Sequence, residues 1–445
     1  MSLKIGLVAL GCAKNRVDAE ILLGLLNAAG YEIINDASLA DIVIVNTCAF
    51  IEDAKKESIE EIFNAIRMKS DVNVKSVIVT GCLAERYRDE IVKEIPEVDA
   101  VVGIGSNKDI VQIVNKVANG QKISKFGEKN NLPMSGPRIR TTPSHYAYLK
   151  IAEGCDNKCS YCSIPYIRGN FRSRPIEDVV GEAKELAQSG VKEVLVIAQD
   201  TTRYGEDLYG KKMLAKLLCE LCKIDGLKWI RVLYCYPDKI SDELLSVIAS
   251  EPKIVKYIDL PIQHCRGNVL TRMNRCGDKV SLESLIRKIR EKIPGVTVRT
   301  TFIVGFPGET NEDFDELVNF CKSVKFDRMG CFAYSREEDT PAAGFEGQVP
   351  DKVKFSRQDI MSNLQKDIMF RKNSALLGKT MRCIVDSFDE DENVYIGRTE
   401  ADAPEVDCEV LFVSKENLNA GEFVDVKITS YNDFDLVGEI DEFAK

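Results

Sequence analysis

Residues 148 to 334 repeat one unit six times, a short apolar run closed by turn residues and then, in most repeats, an amphipathic stretch. The runs are "YLKIA" (148–152), "EVLVIAQ" (193–199), "IRVLYCY" (230–236), "VKYIDLP" (255–261), "VRTTFIVG" (298–305) and "RMGCFAY" (328–334). Segments such as "IEDVVGEAKELAQSG" and "LESLIRKIREKI" place apolar residues at helical spacing between them. Parallel strands need crossovers long enough to hold a helix, and strands buried on both faces read as continuous apolar runs. A strand-helix unit of about 35 residues repeated in this way predicts an open (β/α)6 partial barrel over residues 143–373. Loops after the carboxyl ends of such strands gather reacting groups. "EGCDNKCSYCSIP" (153–165), "QDTT" (199–202), "PIQH" (261–264) and "GFPGE" (305–309) are therefore expected at one mouth.

The flanking regions have other rhythms. In residues 1–120, "KIGLVAL", "DIVIVNT", "SVIVTG" and "AVVGIG" alternate with helical patterns such as "RVDAEILLGLLNAAG", which predicts a parallel α/β domain. "MSLKIGLVALGC" resembles a lipoprotein cleavage site, but its apolar run of about eight residues is short for a signal peptide. It reads as a buried strand. Residues 121–142 are polar, with Gly127, Pro133, Gly136 and Pro137, and read as a linker. Residues 374–445 hold five short strand-like runs split by turns, as in a small antiparallel β-barrel. That last segment has 18 acidic and 6 basic residues, a net of −12, while the whole chain is −10.

Composition narrows the chemistry. The chain has 445 residues, 44% of them hydrophobic, and no apolar run near the roughly 18 residues of a membrane span. A cytoplasmic location, where thiols stay reduced, is expected for its 15 cysteines. Cys155, Cys159 and Cys162 form a CxxxCxxC set. A closed zinc site would need a fourth ligand, and the chain has only two histidines, His145 and His264. An iron-sulfur cluster on three thiolates keeps one iron open for a ligand. Cys12, Cys48 and Cys82 each stand just past the carboxyl end of an expected strand, where loops of a doubly wound sheet converge. Each alone would read as a small buried residue; three at one station favour a metal. "CELC" (Cys219, Cys222) sits in a helical apolar pattern and reads as core.

These motifs resemble a known family. "GCDNKCSYCSIP" with the six-repeat barrel is similar to the radical S-adenosylmethionine enzymes. "GCAKNRVDAE", "NTCAFIEDAKKES" and "TGCLAER" resemble the amino-terminal domain of the methylthiotransferases, and the acidic tail their TRAM domain. "AQDTTRYGEDLYG" and "GRTEADAPEVD" are most similar to the branch that modifies a ribosomal protein.

The resemblance implies two 4Fe-4S clusters, one on Cys155, Cys159 and Cys162 that binds S-adenosylmethionine, the other on Cys12, Cys48 and Cys82. It implies transfer of a methylthio group to the β carbon of an aspartate in protein twelve of the small ribosomal subunit. The alternative within the family is an adenosine in transfer RNA. Further cofactor contacts are expected from Tyr161, Gln199, Asp200, Gly305, Pro307 and Gly308, with Gln263 and Arg299 as weaker candidates. The expected partners are a basic ribosomal protein and an electron donor such as flavodoxin or ferredoxin, with no direct nucleic acid and no membrane. The −12 tail supports a basic protein partner, because acidic surface repels phosphate backbones. Asp389, Glu390, Asp391, Glu392, Glu400, Asp402, Glu405 and Asp407 are expected to form the attracting surface.

Overall fold

The computed structural model describes residues 3–72 and 74–441. They fall into two compact units: Met1–Thr141 with Ala152–Arg174 and Ser335–Ala343, and Thr142–Ile151 with Pro175–Tyr334 and Gly344–Lys445.

The first unit is built on six parallel strands. In spatial order they are Glu32–Ile34, Lys4–Ala9, Ile42–Thr47, Ser76–Gly81, Ala100–Val102 and Ile123–Lys125. Side chains alternate across a strand, and here the alternation sorts by residue type. Ile42, Ile44 and Ile78 pack with Leu22 and Leu26 of helix Ala13–Ala28 and with Ile110, Ile113, Val114 and Val117 of helix Ile110–Ala118. Val43, Val45, Val77 and Val79 turn the other way, against Ile62 and Ala65 of helix Glu52–Asp71 and Leu83 and Ile91 of helix Cys82–Glu94. Each fully buried valine or isoleucine contributes about 1.5–3 kcal/mol to folding.

The segment expected to be a linker is partly ordered structure. Ile123–Lys125 adds the sixth strand, too short and too polar to announce itself. Farther along, Arg138 Nε donates to Glu20 Oε2 at 2.6 Å and the Thr141 amide to Glu20 Oε1 at 2.7 Å.

The second unit holds the expected half-barrel, as two three-stranded runs of parallel strands. Tyr146–Lys150, Glu193–Ile197 and Trp229–Val232 form the first; Tyr257–Asp259, Thr297–Val304 and Arg328–Ala333 form the second. An isolated bridge between Ile230 and Ile254 and a bond from the Cys235 amide to Asp259 O (2.9 Å) join the runs. Thr380–Asp389, Val394–Thr399, Val410–Val413, Asp435–Ile440 and Phe423–Asn432 close a five-stranded barrel, antiparallel except where Val410–Val413 meets Asp435–Ile440.

That small barrel packs against the half-barrel through buried ionic contacts. Arg398 Nη1 reaches Glu193 Oε2 at 2.9 Å, and Arg231 Nε reaches Glu193 Oε1 at 2.8 Å. Asp402 pairs with Arg328, and Asp407 with Arg299 at 3.3 Å. Glu405 accepts from the hydroxyls of Tyr146 and Tyr148, both at 3.0 Å. These partners lie toward the amino ends of the half-barrel strands, opposite the mouth. The expectation that Asp402 and Asp407 form a partner-attracting surface is thus corrected, since their carboxylates are buried against arginines; Glu405, an exposed residue, has its carboxylate engaged by the two tyrosines. Arg299, paired also with Asp259 at 2.9 Å, belongs to this same layer and not to the mouth.

Candidate functional site

Cys12, Cys48 and Cys82 lie at the carboxyl edge of three neighbouring strands. Lys4–Ala9 ends before Cys12, Ile42–Thr47 directly precedes Cys48, and Ser76–Gly81 directly precedes Cys82, with Thr47 opposite Gly81 in register. The backbone at Gly11 runs so close that a Cβ there would stand 2.8 Å from Cys48 Sγ; its φ of +85° also suits glycine. Asn15 ties the loops together, donating to Leu10 O at 2.7 Å and Thr47 O at 3.1 Å. Asn46 Nδ2 returns a bond to Asn15 O at 2.9 Å. Ser58 Oγ accepts from the Cys48 amide and donates to Cys48 O, both at 2.9 Å.

The three thiols differ in ionisation. Burial pushes Cys82 up to about 12 against the pull of Arg168, and burial with the nearby Cys12 raises Cys48. Cys12 is the member with exposed surface, yet protein atoms crowd its sulfur. Desolvation there opposes ionisation, but Lys14, Arg168 and backbone N–H groups of Asn15 and Lys14 outweigh it and lower its pKa. Coordination to a metal deprotonates a thiol outright.

Cys155, Cys159 and Cys162 lie on the loop between the two-residue strand Ala152–Glu153 and helix Ile164–Arg168. The Cys155 amide bonds Gly169 O at 3.1 Å and the Cys162 amide bonds Cys159 O at 3.0 Å, which folds the loop back on itself. Gly154 (φ +77°) is pressed on Asn170 O, 2.1 Å from where a Cβ would stand. Segment Ser335–Ala343 braces this unit. The Ala342 amide bonds Ser160 O at 2.8 Å, and Glu337 takes Arg86 at 2.8 Å and Lys55 at 3.1 Å. All six cysteines thus belong to one compact unit.

Among the described residues no three Cys, His, Asp or Glu side chains converge as a site for a single metal ion. The donor chemistry of both sets, three sulfurs each with no histidine, suits iron-sulfur clusters.

A buried polar cluster links Cys82 to the flank of the CxxxCxxC loop, and sequence reasoning missed it. Arg168 Nη1 donates to Asp18 Oδ2 at 2.8 Å and Glu153 Oε2 at 2.9 Å. Its Nη2 donates to Asn15 Oδ1 at 3.1 Å and lies 3.5 Å from Cys82 Sγ. Nothing in the spacing of these residues marks them, because Asn15 and Asp18 stand about 150 positions from Arg168 and meet it only in the fold.

The remaining expected contacts have structural tasks of their own. Asp200, fully buried, accepts from the Thr202 amide at 3.1 Å and its hydroxyl at 2.5 Å, capping a short turn after strand Glu193–Ile197, with Gln199 beside it. Gly305 (φ +71°) packs on Lys354 and Gly308 (φ +83°) on the Arg272 guanidinium, while Pro307 O accepts from Arg272 Nε at 3.0 Å. Gln263 has a positive φ of 74° and bonds Thr301 O through its amide at 2.8 Å. Tyr161 is half-buried on the cysteine loop. Cys235, Cys265 and Cys383 are buried thiols pushed up to about 12, inert packing residues.

Comparison with known proteins agrees with this layout. Residues 4–103 match the uncharacterized protein family UPF0004, residues 149–321 the radical SAM superfamily, and residues 377–440 the TRAM domain. The protein named ribosomal protein uS12 methylthiotransferase RimO from Clostridioides difficile (strain 630) is 51% identical over 439 residues, 98% of this chain and 99% of its own length. Its namesake in Lachnoclostridium phytofermentans is 47% identical, with 98% and 99% covered. Among solved structures, the radical S-adenosylmethionine methyltransferase TsrM from Kitasatospora setae superposes with a TM-score of 0.57 at 16% identity, covering 74% of this chain and 73% of its own. That likeness shows the fold. With half its residues shared along nearly the whole length, and three matched domains in the same order, the chain belongs to the RimO family of radical SAM methylthiotransferases.

Proposed function

We propose that this enzyme attaches a methylthio group to the β carbon of an aspartate in ribosomal protein uS12, using two 4Fe-4S clusters. The observation that carries the reading is the pair of three-cysteine sets in one unit, one at the ends of three adjacent strands and one on the CxxxCxxC loop. Cys155, Cys159 and Cys162 hold the cluster that binds S-adenosylmethionine, and Cys12, Cys48 and Cys82 hold the second. The bound groups supply radical hydrogen abstraction, the sulfur and the methyl group, chemistry that no side-chain base offers at an unactivated carbon. The protein's share is placement. Gly305, Pro307 and Gly308 would shape a tight turn for the adenosyl part, Tyr161 would offer a ring to the adenine, and Gln199 and Asp200 would serve the cofactor's polar groups. A flavodoxin or ferredoxin delivers electrons, and the reaction takes place in the cytoplasm. Among the described residues no helix is long and apolar enough to cross a membrane.

The test is mass spectrometry of uS12 and of transfer RNA from cells with and without the gene. The reading requires the methylthio group to vanish from the protein and persist on the RNA. The reverse pattern would assign the alternative, an adenosine in transfer RNA.

A further inference from the structure

The Arg168 guanidinium touches Cys82 of the amino-terminal set and Glu153 at the flank of the CxxxCxxC loop, and this carries a consequence for the amino-terminal site. Arg168 follows Cys162 by six residues, and Glu153 precedes Cys155 by two, so the ion pair between them brackets the CxxxCxxC loop. The Nη1 of that pair also holds Asp18, while Nη2, the other half of the guanidinium, is turned to Asn15 and Cys82 of the amino-terminal domain. Arg168 and Glu153 have 1% and 0% of their surfaces exposed, and Asp18 3%. An arginine this deep needs carboxylate partners, which Asp18 and Glu153 provide. A sulfur contact is not required for that balance. The Nη2–H group aimed at Cys82 Sγ at 3.5 Å is an additional donor, held in place by its two carboxylates and by Asn15.

We propose that Arg168 is a positioning residue that raises the reduction potential of the cluster on Cys12, Cys48 and Cys82 through its bond to the Cys82 sulfur. The proposal rests on the second-cluster reading above. Reduction adds negative charge to a cluster, and N–H groups on its sulfurs are a recognised control of potential. A fixed cation bonded to a coordinating sulfur stabilises the reduced form more than the oxidised one. Because the same guanidinium is gripped by Glu153, the loop that carries one cluster sets the electronic environment of the other.

The experiment isolates the amino-terminal cluster by changing Cys155, Cys159 and Cys162 to Ala, reconstitutes it anaerobically, and follows its reduction by electron paramagnetic resonance during a redox titration. Three backgrounds are compared: Arg168 retained, Arg168→Lys, and Arg168→Met with Glu153→Gln, which limits the unpaired buried charge. Circular dichroism and iron content establish that each is folded and loaded. The expected result is a more negative midpoint in both variants. For the Met/Gln variant it corresponds to at least a tenfold lower ratio of reduced to oxidised cluster at a fixed potential, about 59 mV for one electron. Lys falls between, because it keeps the charge but lacks the planar fork with which the guanidinium faces two carboxylates and a sulfur from separate nitrogens. An unmoved midpoint in a folded, loaded Lys variant overturns the proposal alone. A folded cysteine-to-alanine background that takes up no iron overturns the second-cluster reading, and the proposal with it.

Discussion

Glu193 holds two arginines at once, Arg231 at 2.8 Å and Arg398 at 2.9 Å, and all three side chains are buried. Arg398 also reaches Asp386, whose other partner is His145. Burial works against charge on Glu193, but Arg398 and Arg231 keep its carboxyl below the usual value. The small barrel is therefore bolted to the half-barrel by charge that cannot be removed one partner at a time. Arg398→Met should cost about 3 kcal/mol or more in urea unfolding, because it strands Asp386 and half of Glu193. A loss under about 1 kcal/mol would mean that water or another donor takes over.

The acidic tail divides into two kinds of residue. Glu390, Asp391 and Glu392 are exposed in a turn whose geometry Asp389 fixes by accepting the amides of Asp391 (2.9 Å) and Glu392 (3.0 Å). Changing those three to Lys, with Asp389 kept, should leave stability within about 0.5 kcal/mol. If the acidic turn steers a basic partner, as the proposed reading has it, the change should slow association with uS12, most visibly at low salt. Asp402→Lys or Asp407→Lys should instead unfold the unit, because each puts a cation at a buried position against an arginine. Association rates from stopped-flow and melting curves separate the two outcomes.

Two glycines offer a matched pair of lesions. Gly11→Ala would push a methyl group into Cys48, and Gly154→Ala would push one into Asn170 O, each at a positive φ. Under the proposed two-cluster reading, each should lower the iron of the reconstituted protein from about eight to about four atoms, with a different cluster lost. Iron analysis with Mössbauer spectra checks this; full loading of both variants would show that the loops yield without losing their metal.

His264 supplies a pH dependence. It is fully buried, its Nδ1 accepts from the Arg266 amide at 3.0 Å, and burial above all pushes its pKa down to about 3. The unfolded chain takes up this proton near 6.5 and the folded one does not. The group's contribution to stability is present above pH 6.5 and is lost as the pH falls toward 3, at up to about 1.4 kcal/mol per unit. His264→Asn keeps an acceptor for the Arg266 amide and removes the titration. Urea unfolding of the metal-free proteins at pH 7.5 and 5.5 should show wild type losing about 1.4 kcal/mol more than the variant. Parallel losses would contradict it.

How far the chain could be read in advance depended on the range of the interaction. Strands such as Ile42–Thr47 and Ser76–Gly81 were legible because they are buried on both faces, and burial writes itself as consecutive valines and isoleucines. The CxxxCxxC loop was legible because its ligands are local. The commitment of Asp402, Glu405 and Asp407 to Arg328, Tyr146, Tyr148 and Arg299 was not, since a carboxylate looks the same in sequence whether it meets water or a guanidinium. Strand Ile123–Lys125 was hidden for a related reason: at the edge of a sheet only half its surface needs apolar cover.

The grouping of Ala152–Arg174 with the amino-terminal sheet bears on which fragments of this chain could live alone. A gene trimmed to start near His145 would still encode Cys155, Cys159 and Cys162, every strand of the half-barrel and the turn at Gly305. It would lack Asn15 and Asp18, so Arg168 would face Glu153 by itself, and the loop bearing the three sulfurs would lose the surface on which it is moulded. A fragment that keeps the cysteine loop in its own surroundings therefore has to include helix Ala13–Ala28 as well as the loop itself.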